Sequence, residues 1–323
     1  MCTLKLYLFP PPLDSGFLGD SGVKPGTLDS GAVIFLIYQT DTELHSTNQE
    51  KGTVIVAVEV IVAVEFTDSV KMDHHLIAIV AVFFTAVVAC EDCYYKKFTP
   101  NHTGCKSRNP SCNLVDNQVT NDDKNLVVRL HNQYREKVAM GRETAAGGLP
   151  TASNMLEMVW DDELAYIAQR HAETCEFQHD CNDCRKVDRF GVGQNLYMSW
   201  SSNFPSSKDQ WEGMVKSFYN EVQKFKKEYV SSFKFQADYG HFSQVVWADS
   251  WRLGCGKVVF KDGNWYKTMI SCNYGPAGNY VNAPMYKIGS PCSACPSKTC
   301  CGDSCNQSGV RSNYQGLCSK RSY

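Results

Sequence analysis

Residues 239–250, YGHFSQVVWADS, decide the fold prediction because they place a histidine just before a short apolar run. The run, residues 245–247 (VVW), is typical of a buried strand. Gly240 and His241 precede it, so we expect an imidazole at the start of that strand, facing whatever lies above the sheet. Residues 269–280, MISCNYGPAGNY, have the same build, with an apolar strand start, one cysteine and a turn rich in Gly, Pro and Asn.

Size, charge and cysteine content narrow the class of protein. The chain has 323 residues, is 43% hydrophobic and carries a net charge of −2, which is enough for one large domain or two small ones. Near-zero charge gives no reason to expect nucleic acid or an anionic membrane as a partner. Of the 16 cysteines, only Cys2 and Cys90 precede residue 91, and no tandem knuckles have zinc-finger spacing. Disulfides formed in an oxidising compartment are the better interpretation.

The first 89 residues differ in composition from the rest. The hexamer VIVAVE occupies residues 54–59 and again 60–65, a low-complexity repeat suited to a hairpin or an aggregation-prone strand. Residues 76–89 are an uncharged apolar run of signal-peptide length, with Met72 just before it. The alternative, a single membrane anchor, needs a longer run. We predict that residues 1–71 are a disordered, non-native upstream extension and that residues 72–89 are a signal peptide. The protein would then be secreted and extracellular.

Local patterns predict several elements of the mature chain. Apolar residues at helical spacing predict helices over 122–140 and 209–229, and another helix capped by Asp161. Asn121 or Asp122 can cap the first of these helices. A hairpin is predicted from 252–260 and 265–272, with its turn at 261–264.

Two motifs carry a family resemblance. GHFSQVVW (240–247) and ISCNYGPAGNY (270–280) resemble the signature motifs of the CAP superfamily of cysteine-rich secretory, antigen 5 and pathogenesis-related proteins. HNxxR at 131–135 matches the family's first-helix motif, and His131 is interpreted as structural. The resemblance implies an α+β fold, a three-layer αβα sandwich with a central antiparallel sheet. It divides the chain into a cysteine-stapled arm (90–121), a CAP or SCP domain (122–286) and a cysteine-rich, hinge-like tail (287–323) that is an appendage without its own core.

The resemblance also implies disulfide pairs. The family pattern implies Cys255–Cys272, and similarity to antigen 5 adds Cys112–Cys175, Cys90–Cys105 and Cys93–Cys181. Cleavage of the signal peptide after Ala89 would keep Cys90 in the mature chain, as this pairing scheme requires. Cleavage after Cys90 would instead leave the mature chain with an even number of cysteines. Cys184 stays unassigned: it would replace Cys181 or pair with another chain. The CxxC motif at 181–184 suits a redox pair, a zinc knuckle or a structural bridge, and a polar loop in a secreted chain favours the bridge. Six tail cysteines allow 15 connectivities.

The resemblance gathers two histidines and two partners into one cleft, namely His179, Gln194, Glu221 and His241. Gln194 stands where much of the family has glutamate. His179, His241 and Glu221 suit Zn²⁺ with a water in the fourth position, and a zinc hydroxide would make the protein an endopeptidase. Ser243, two residues along the predicted strand, would supply a serine-dependent route with His241 and Glu221. The alternative is a buried polar network that orders the cleft.

Two further features concern partners. An aromatic connection before residue 240 lies where some CAP proteins bind sterols, although such residues more often pack a core; it comprises Tyr229, Phe233, Phe235 and Tyr239. Asn101 and Asn306 head glycosylation sequons. We expect a monomeric, glycosylated, non-catalytic binding protein or venom or defence component whose partner is an extracellular receptor, channel or lipid. An endopeptidase and a sterol or lipid carrier are the alternatives.

Overall fold

The computed structural model describes three strands, β1 (Ile34–Leu36), β2 (Thr53–Val64) and β3 (Ala78–Ala89), and residues 93–307, 309 and 312–320. The three strands form their own antiparallel sheet in the order β1-β2-β3, so most of the VIVAVE repeat lies in a strand. The predicted upstream extension and signal peptide otherwise fall outside the described residues and stay predictions. Among the described residues, no helix has the length and apolarity needed to cross a bilayer.

The described residues from Tyr94 onward form a second unit, which carries the predicted cleft residues His179, Gln194, Glu221 and His241. Its elements, in chain order, are β4 (Leu114–Asp116), α1 (Asn121–Ala139), β5 (Val159–Trp160), α2 (Asp162–Ala172), β6 (Gly193–Ser201), α3 (Ser207–Asn220), α4 (Gly240–Val245), β7 (Arg252–Asp262), β8 (Trp265–Gly275), β9 (Thr299–Cys301), α5 (Asp303–Gln307) and β10 (Cys318–Lys320). The main sheet has the antiparallel order β4-β7-β8-β6, and short β5 pairs with β7 in parallel. The predicted α+β fold with a central antiparallel sheet is confirmed.

Helix α2 covers one face of this sheet at two glycines of β7. A Cβ on Gly254 would lie 2.1 Å from the Ala165 nitrogen, and one on Gly256 would lie 2.3 Å from Gln169. Only glycine permits this approach of helix to strand. Residues of α1, α3 and α4 share a core with the opposite face, where the Cys272 Sγ of β8 lies 3.6 Å from the Met214 Sδ of α3. The sheet therefore lies between two helical layers.

The helix ends follow capping chemistry. The α1 cap is Thr120, not Asn121 or Asp122: its side chain accepts from the Asp123 N–H, and the Asp123 carboxylate accepts from the Thr120 N–H. Asp161 caps α2 as predicted, accepting from the Leu164 N–H at 3.0 Å.

Two other predicted boundaries can be compared with the structure. Helix α3 ends at Asn220, nine residues before its predicted end, and short 3₁₀ turns at Glu221–Lys224 and Lys227–Tyr229 follow it. The predicted hairpin is present as β7 and β8, with Gly263 at φ +57° in its turn.

The predicted strand over 245–247 is wrong, because residues 240–245 form helix α4. The side chain of Glu221, distant in sequence, accepts hydrogen bonds from the N–H groups of His241 (2.9 Å) and Phe242 (3.1 Å). These are orphan donors of the first helical turn. The apolar run is buried as expected, with Val245 and Val246 fully covered, but at the end of a helix.

The arm and the tail are both packed on the domain. Residues 114–116 of the arm add β4 to the main sheet. In the tail, Leu317 and Cys318 are fully buried. The Cys318 N–H donates to the Met155 carbonyl at 2.8 Å, and its carbonyl accepts from the Glu157 N–H at 3.0 Å. The tail is therefore docked on the segment before β5.

The disulfides agree with the expected framework in part. Cys255–Cys272 and Cys112–Cys175 are present as expected. Cys181 pairs with Cys184, so the expected Cys93–Cys181 bridge is wrong. The intervening loop folds back and brings the two Cα atoms to 4.9 Å, within disulfide range. Cys105 is disulfide-bonded, but Cys90 lies outside the described residues, so their pairing stays a prediction. The tail bridges are Cys292–Cys301, Cys295–Cys318 and Cys300–Cys305.

Candidate functional site

His241 is held in place by Glu221 at the first turn of α4. The His241 Nδ1 lies 2.7 Å from the Glu221 Oε1, while the Oε2 of that carboxylate accepts the two backbone N–H groups of the turn. The His241 ring stacks on Phe218 of α3 with centroids 4.8 Å apart. A carboxylate can only accept, so His241 Nδ1 carries the proton and the lone pair of the neutral ring is at Nε2. The side chain is 32% exposed.

Two asparagines that the sequence analysis missed position the backbone around His241. The Asn195 Nδ2 of β6 donates to the His241 carbonyl at 3.1 Å, and the Asn279 Nδ2 donates to the Gly240 carbonyl at 2.9 Å. Asn279 has φ +59°, a conformation that asparagine tolerates better than most residues. The sequence feature that could have identified Asn279 is its place in the GPAGNY turn. For Asn195, that feature is its position next to Gln194.

His179 is exposed in the loop after α2 and has a different partner. Its Nδ1 lies 2.8 Å from the Gln194 Oε1, and the Gln194 Nε2 donates to the Asn273 Oδ1 at 3.5 Å. Because the amide oxygen accepts, His179 Nδ1 donates. As in His241, the Nε2 of the neutral ring keeps its lone pair. Gln194 thus orients the ring without contributing a charge.

The four predicted cleft residues form two pairs instead of one hydrogen-bonded cluster. Both pairs depend on β6, because His179 is bonded to Gln194 and the His241 carbonyl to Asn195. Gln194 and Asn195 are consecutive strand residues, so their side chains leave opposite faces of this strand, which is an edge of the sheet. Within the described ranges, no hydrogen bond joins the pairs directly.

The predicted zinc ligands do not assemble as a three-residue group. In the part of the chain that the structure describes, only Cys292, Cys295 and Cys301 bring three candidate ligand atoms within 4.8 Å of one another. These sulfurs belong to disulfides and offer no thiolate. Both oxygens of Glu221 are occupied by His241 and its helix turn. The remaining atoms whose chemistry suits Zn²⁺ are the Nε2 atoms of His179 and His241.

Ser243 is not placed as a nucleophile. It is fully buried, and its hydroxyl donates to the Gly240 carbonyl at 3.1 Å. The expectation that Ser243 shares a face with His241 assumed a strand, but helix residues two apart do not face each other.

The aromatic connection divides into a core part and a surface part. Phe233 and Tyr239 are buried, and Phe233 packs edge-on against Trp247 at 5.5 Å. Phe235 is 55% exposed, and Tyr280, at 53%, lies edge-on to the same Trp247. Only the surface part is available to a ligand.

Comparison with known proteins agrees with this fold. The model of the family described as "CAP: Cysteine-rich secretory protein family" matches residues 128–274. A "Venom allergen 3 homolog" of Dinoponera quadriceps is 41% identical over 224 residues, which cover 65% of this chain and 95% of the relative. The chain therefore belongs to the CAP, or cysteine-rich secretory protein, family.

Other relatives are longer than the match. "CRISP/Allergen/PR-1" of Trittame loki is 48% identical over 227 residues, covering 69% of this chain and 54% of the relative. The chain thus spans about half the length of this curated relative. The solved structure described as "Structure of BmVAL-1" matches with a TM-score of 0.51 at 26% identity, covering 64% of this chain and 97% of the other. "Crystal Structure of Na-ASP-1" gives the same TM-score and identity, covering 66% and 50%.

Proposed function

We propose that the chain is a secreted, monomeric CAP protein of the venom-allergen or defence type that binds a divalent metal ion without catalysing turnover. The supporting observation is that each imidazole has its Nδ1 engaged, at 2.7 Å by Glu221 and at 2.8 Å by Gln194. No described residue hydrogen-bonds to the Nε2 of His179 or His241. A neutral imidazole whose other nitrogen is held by an oxygen acceptor is prepared to bind a metal ion through its lone pair.

Each residue has a distinct role in this proposal. In this proposal His179 and His241 bind Zn²⁺ around the β6 edge of the sheet, one from each face of the strand, and Glu221 and Gln194 orient the two rings. Bound zinc would polarise the waters that complete its coordination. Glu221 already accepts three hydrogen bonds, so it has little capacity left to act as a base, and the Ser243 hydroxyl is buried in its own helix turn. Neither Glu221 nor Ser243 is thus a free base or nucleophile, which supports binding without hydrolysis.

Calorimetric titration of the metal-stripped protein with ZnCl₂ tests the site. We expect His179→Ala and His241→Ala each to weaken zinc binding at least tenfold, because each removes one of two protein ligands. Gln178→Ala, an exposed neighbour of His179, is the matched control and should bind like wild type. Unchanged affinity in either histidine variant would refute a shared site.

A peptide-cleavage assay tests the absence of turnover. We expect no cleavage of a mixed peptide library above buffer background, with or without zinc. Cleavage that disappears both in His241→Ala and with a chelator would instead establish the endopeptidase alternative.

A second candidate, lipid or sterol binding, is favoured by a small apolar surface. Phe235, Tyr280 and Val281 are each more than half exposed on two segments joined by backbone bonds, Phe233 N–H to Ala283 and Asn282 N–H to Phe233. If this surface binds sterol, the double variant Phe235→Ala/Tyr280→Ala should lose binding.

Phe204→Ala, an equally exposed aromatic elsewhere, is the control for the sterol assay. Equal sterol binding by wild type and the double variant would exclude this surface as the sterol-binding site.

Secretion is tested by N-terminal sequencing of protein from the medium of expressing cells. We expect the mature chain to begin at Cys90, after cleavage of the predicted signal peptide. Peptides from residues 1–71 in that material would contradict the upstream-extension prediction.

A further inference from the structure

The Cys181–Cys184 disulfide lies in the loop between His179 and Gln194 and joins no two elements of the fold. The bonded residues are three apart in sequence. Cys112–Cys175 closes a loop with a sequence separation of 63 and ties the arm to the end of α2. A short loop loses less conformational freedom when it is closed, so this bridge restricts the unfolded chain about half as much as the long one. Its expected contribution to stability is therefore the smaller of the two.

The loop holds its shape through other contacts. The Arg185 Nη1 and Asp180 Oδ1 atoms are 2.6 Å apart, with side chains 8% and 3% exposed. Arg185 also donates to the Val192 carbonyl at 2.9 Å and to the Asn182 side chain at 2.7 Å. A buried, charge-assisted clamp of this kind keeps the ends of the loop together. The sulfurs would therefore stay close after the bond between them is opened.

The two sulfurs differ in access. Cys181 is an exposed residue, whereas Cys184 is 6% exposed. Thiol–disulfide exchange requires a thiolate to reach one sulfur while the other leaves. We propose that Cys181–Cys184 is an exchangeable disulfide, with Cys181 as the sulfur attacked by an extracellular dithiol and Cys184 as the resolving thiol. The proposal does not rest on metal binding at the histidines.

The reaction is a two-electron exchange. A thiolate of the dithiol attacks Cys181 Sγ, a new S–S bond forms, and the Cys181–Cys184 bond breaks with its electron pair on Cys184, which takes a proton from water. The second thiolate of the dithiol then attacks the dithiol sulfur bonded to Cys181. The mixed S–S bond breaks with its electron pair on Cys181, which takes a proton from water, and the dithiol leaves as a cyclic disulfide. The dithiol is oxidised and the protein pair is reduced. In the reverse direction, Cys184 closes on a mixed disulfide at Cys181.

Graded reduction of the full-length wild-type protein provides the first test. The native protein is incubated with increasing dithiothreitol, trapped with iodoacetamide and mapped by mass spectrometry. We expect Cys181 and Cys184 to be alkylated at a dithiothreitol concentration at least tenfold lower than Cys255 and Cys272, with near-UV circular dichroism unchanged. Reduction of Cys181–Cys184 together with or after Cys255–Cys272 would overturn the proposal.

Two single variants test the assigned direction of attack. Cys184→Ser leaves the exposed Cys181 thiol, and Cys181→Ser leaves the buried Cys184 thiol. Incubated with oxidised glutathione, Cys184→Ser should form the mixed disulfide at least tenfold faster than Cys181→Ser, as followed by intact mass. Equal rates, or a faster reaction of Cys181→Ser, would refute Cys181 as the attacked sulfur. The wild-type map does not depend on whether these variants fold.

Discussion

At the scale of single residues, Arg135 shows how a charged group becomes part of the core. It is fully buried, and its guanidinium makes five hydrogen bonds to main-chain carbonyls of two segments, at Leu156, Val245, Trp247 and Ala248. Burial lowers its pKa to about 9, which still leaves it charged at neutral pH. The planar fork satisfies all these carbonyls at once, which a lysine ammonium cannot do.

Arg135→Lys should therefore lower the free energy of unfolding by about 3 kcal/mol, because carbonyls near the end of α4 lose their donors. Urea denaturation at pH 7 measures this loss. Arg129→Lys, an exposed change on the same helix, is the control and should stay within about 0.5 kcal/mol of wild type. A loss of similar size in both variants would contradict this role for Arg135.

His131 makes stability depend on pH. It is fully buried, its Nδ1 donates to the Val127 carbonyl at 2.7 Å, and its Nε2 lies 2.9 Å from the Tyr274 hydroxyl. Burial lowers the pKa of His131 to about 4, from an ordinary value of 6.5. The unfolded chain therefore takes up this proton first as the pH falls. The stability contributed by the neutral ring is complete above pH 6.5 and is lost as the pH drops toward 4.

This loss should amount to about 1.4 kcal/mol per pH unit between pH 6.5 and 4. Urea unfolding of wild type at pH 7, 6 and 5 measures the slope. In His131→Gln the same slope should be smaller by that amount, while the part due to His102 and His171, whose pKa values burial also lowers, remains. An identical slope in wild type and His131→Gln would show that His131 does not titrate as proposed.

At the scale of elements, α4 explains why sequence patterns failed at the stretch used to predict the fold. A short apolar run such as residues 245–247 does not distinguish a buried strand from the end of a buried helix. Glu221 favours the helix over the strand. Its carboxylate caps the first turn of α4 from 20 residues away in sequence and also binds the His241 ring. That contact is tertiary, so local periodicity cannot reveal it. The hairpin of β7 and β8 was predictable because its turn and its alternation are local.

Glu221→Ala should weaken the first turn of α4 and free the His241 ring. Two backbone donors and one imidazole donor lose their acceptor, so we expect a loss of about 2 kcal/mol in unfolding free energy. Hydrogen exchange should also become faster at the Phe242 amide. Glu228→Ala, an exposed glutamate in the following turn, is the matched control. Unchanged Phe242 exchange in Glu221→Ala would contradict the capping role.

At the scale of the whole molecule, family motifs were more informative than local patterns. The signature motifs led to the layered fold and to the pair Cys255–Cys272, and the similarity to antigen 5 led to Cys112–Cys175. They did not give the Cys181–Cys184 bridge or the docking of Cys318 on the Met155 carbonyl. The bridge lies in a loop held by the Asp180–Arg185 ion pair, and the tail docks through backbone hydrogen bonds to a segment distant in sequence. Neither kind of contact leaves a periodic signal in the sequence.

The same reasoning ranks the disulfides by their effect on global stability. In the chain-entropy account, closing a loop of the length between Cys112 and Cys175 contributes about 4 kcal/mol, and closing the short loop between Cys181 and Cys184 contributes about 2 kcal/mol. We expect Cys112→Ala/Cys175→Ala to lose about twice as much unfolding free energy as Cys181→Ala/Cys184→Ala, measured by urea unfolding at pH 7. The two double variants serve as controls for each other, since each removes one bridge and leaves the other. Equal losses would mean that the short bridge holds native structure that the Asp180–Arg185 clamp cannot hold alone. The disulfide, and not the ion pair, would then be what keeps this loop folded.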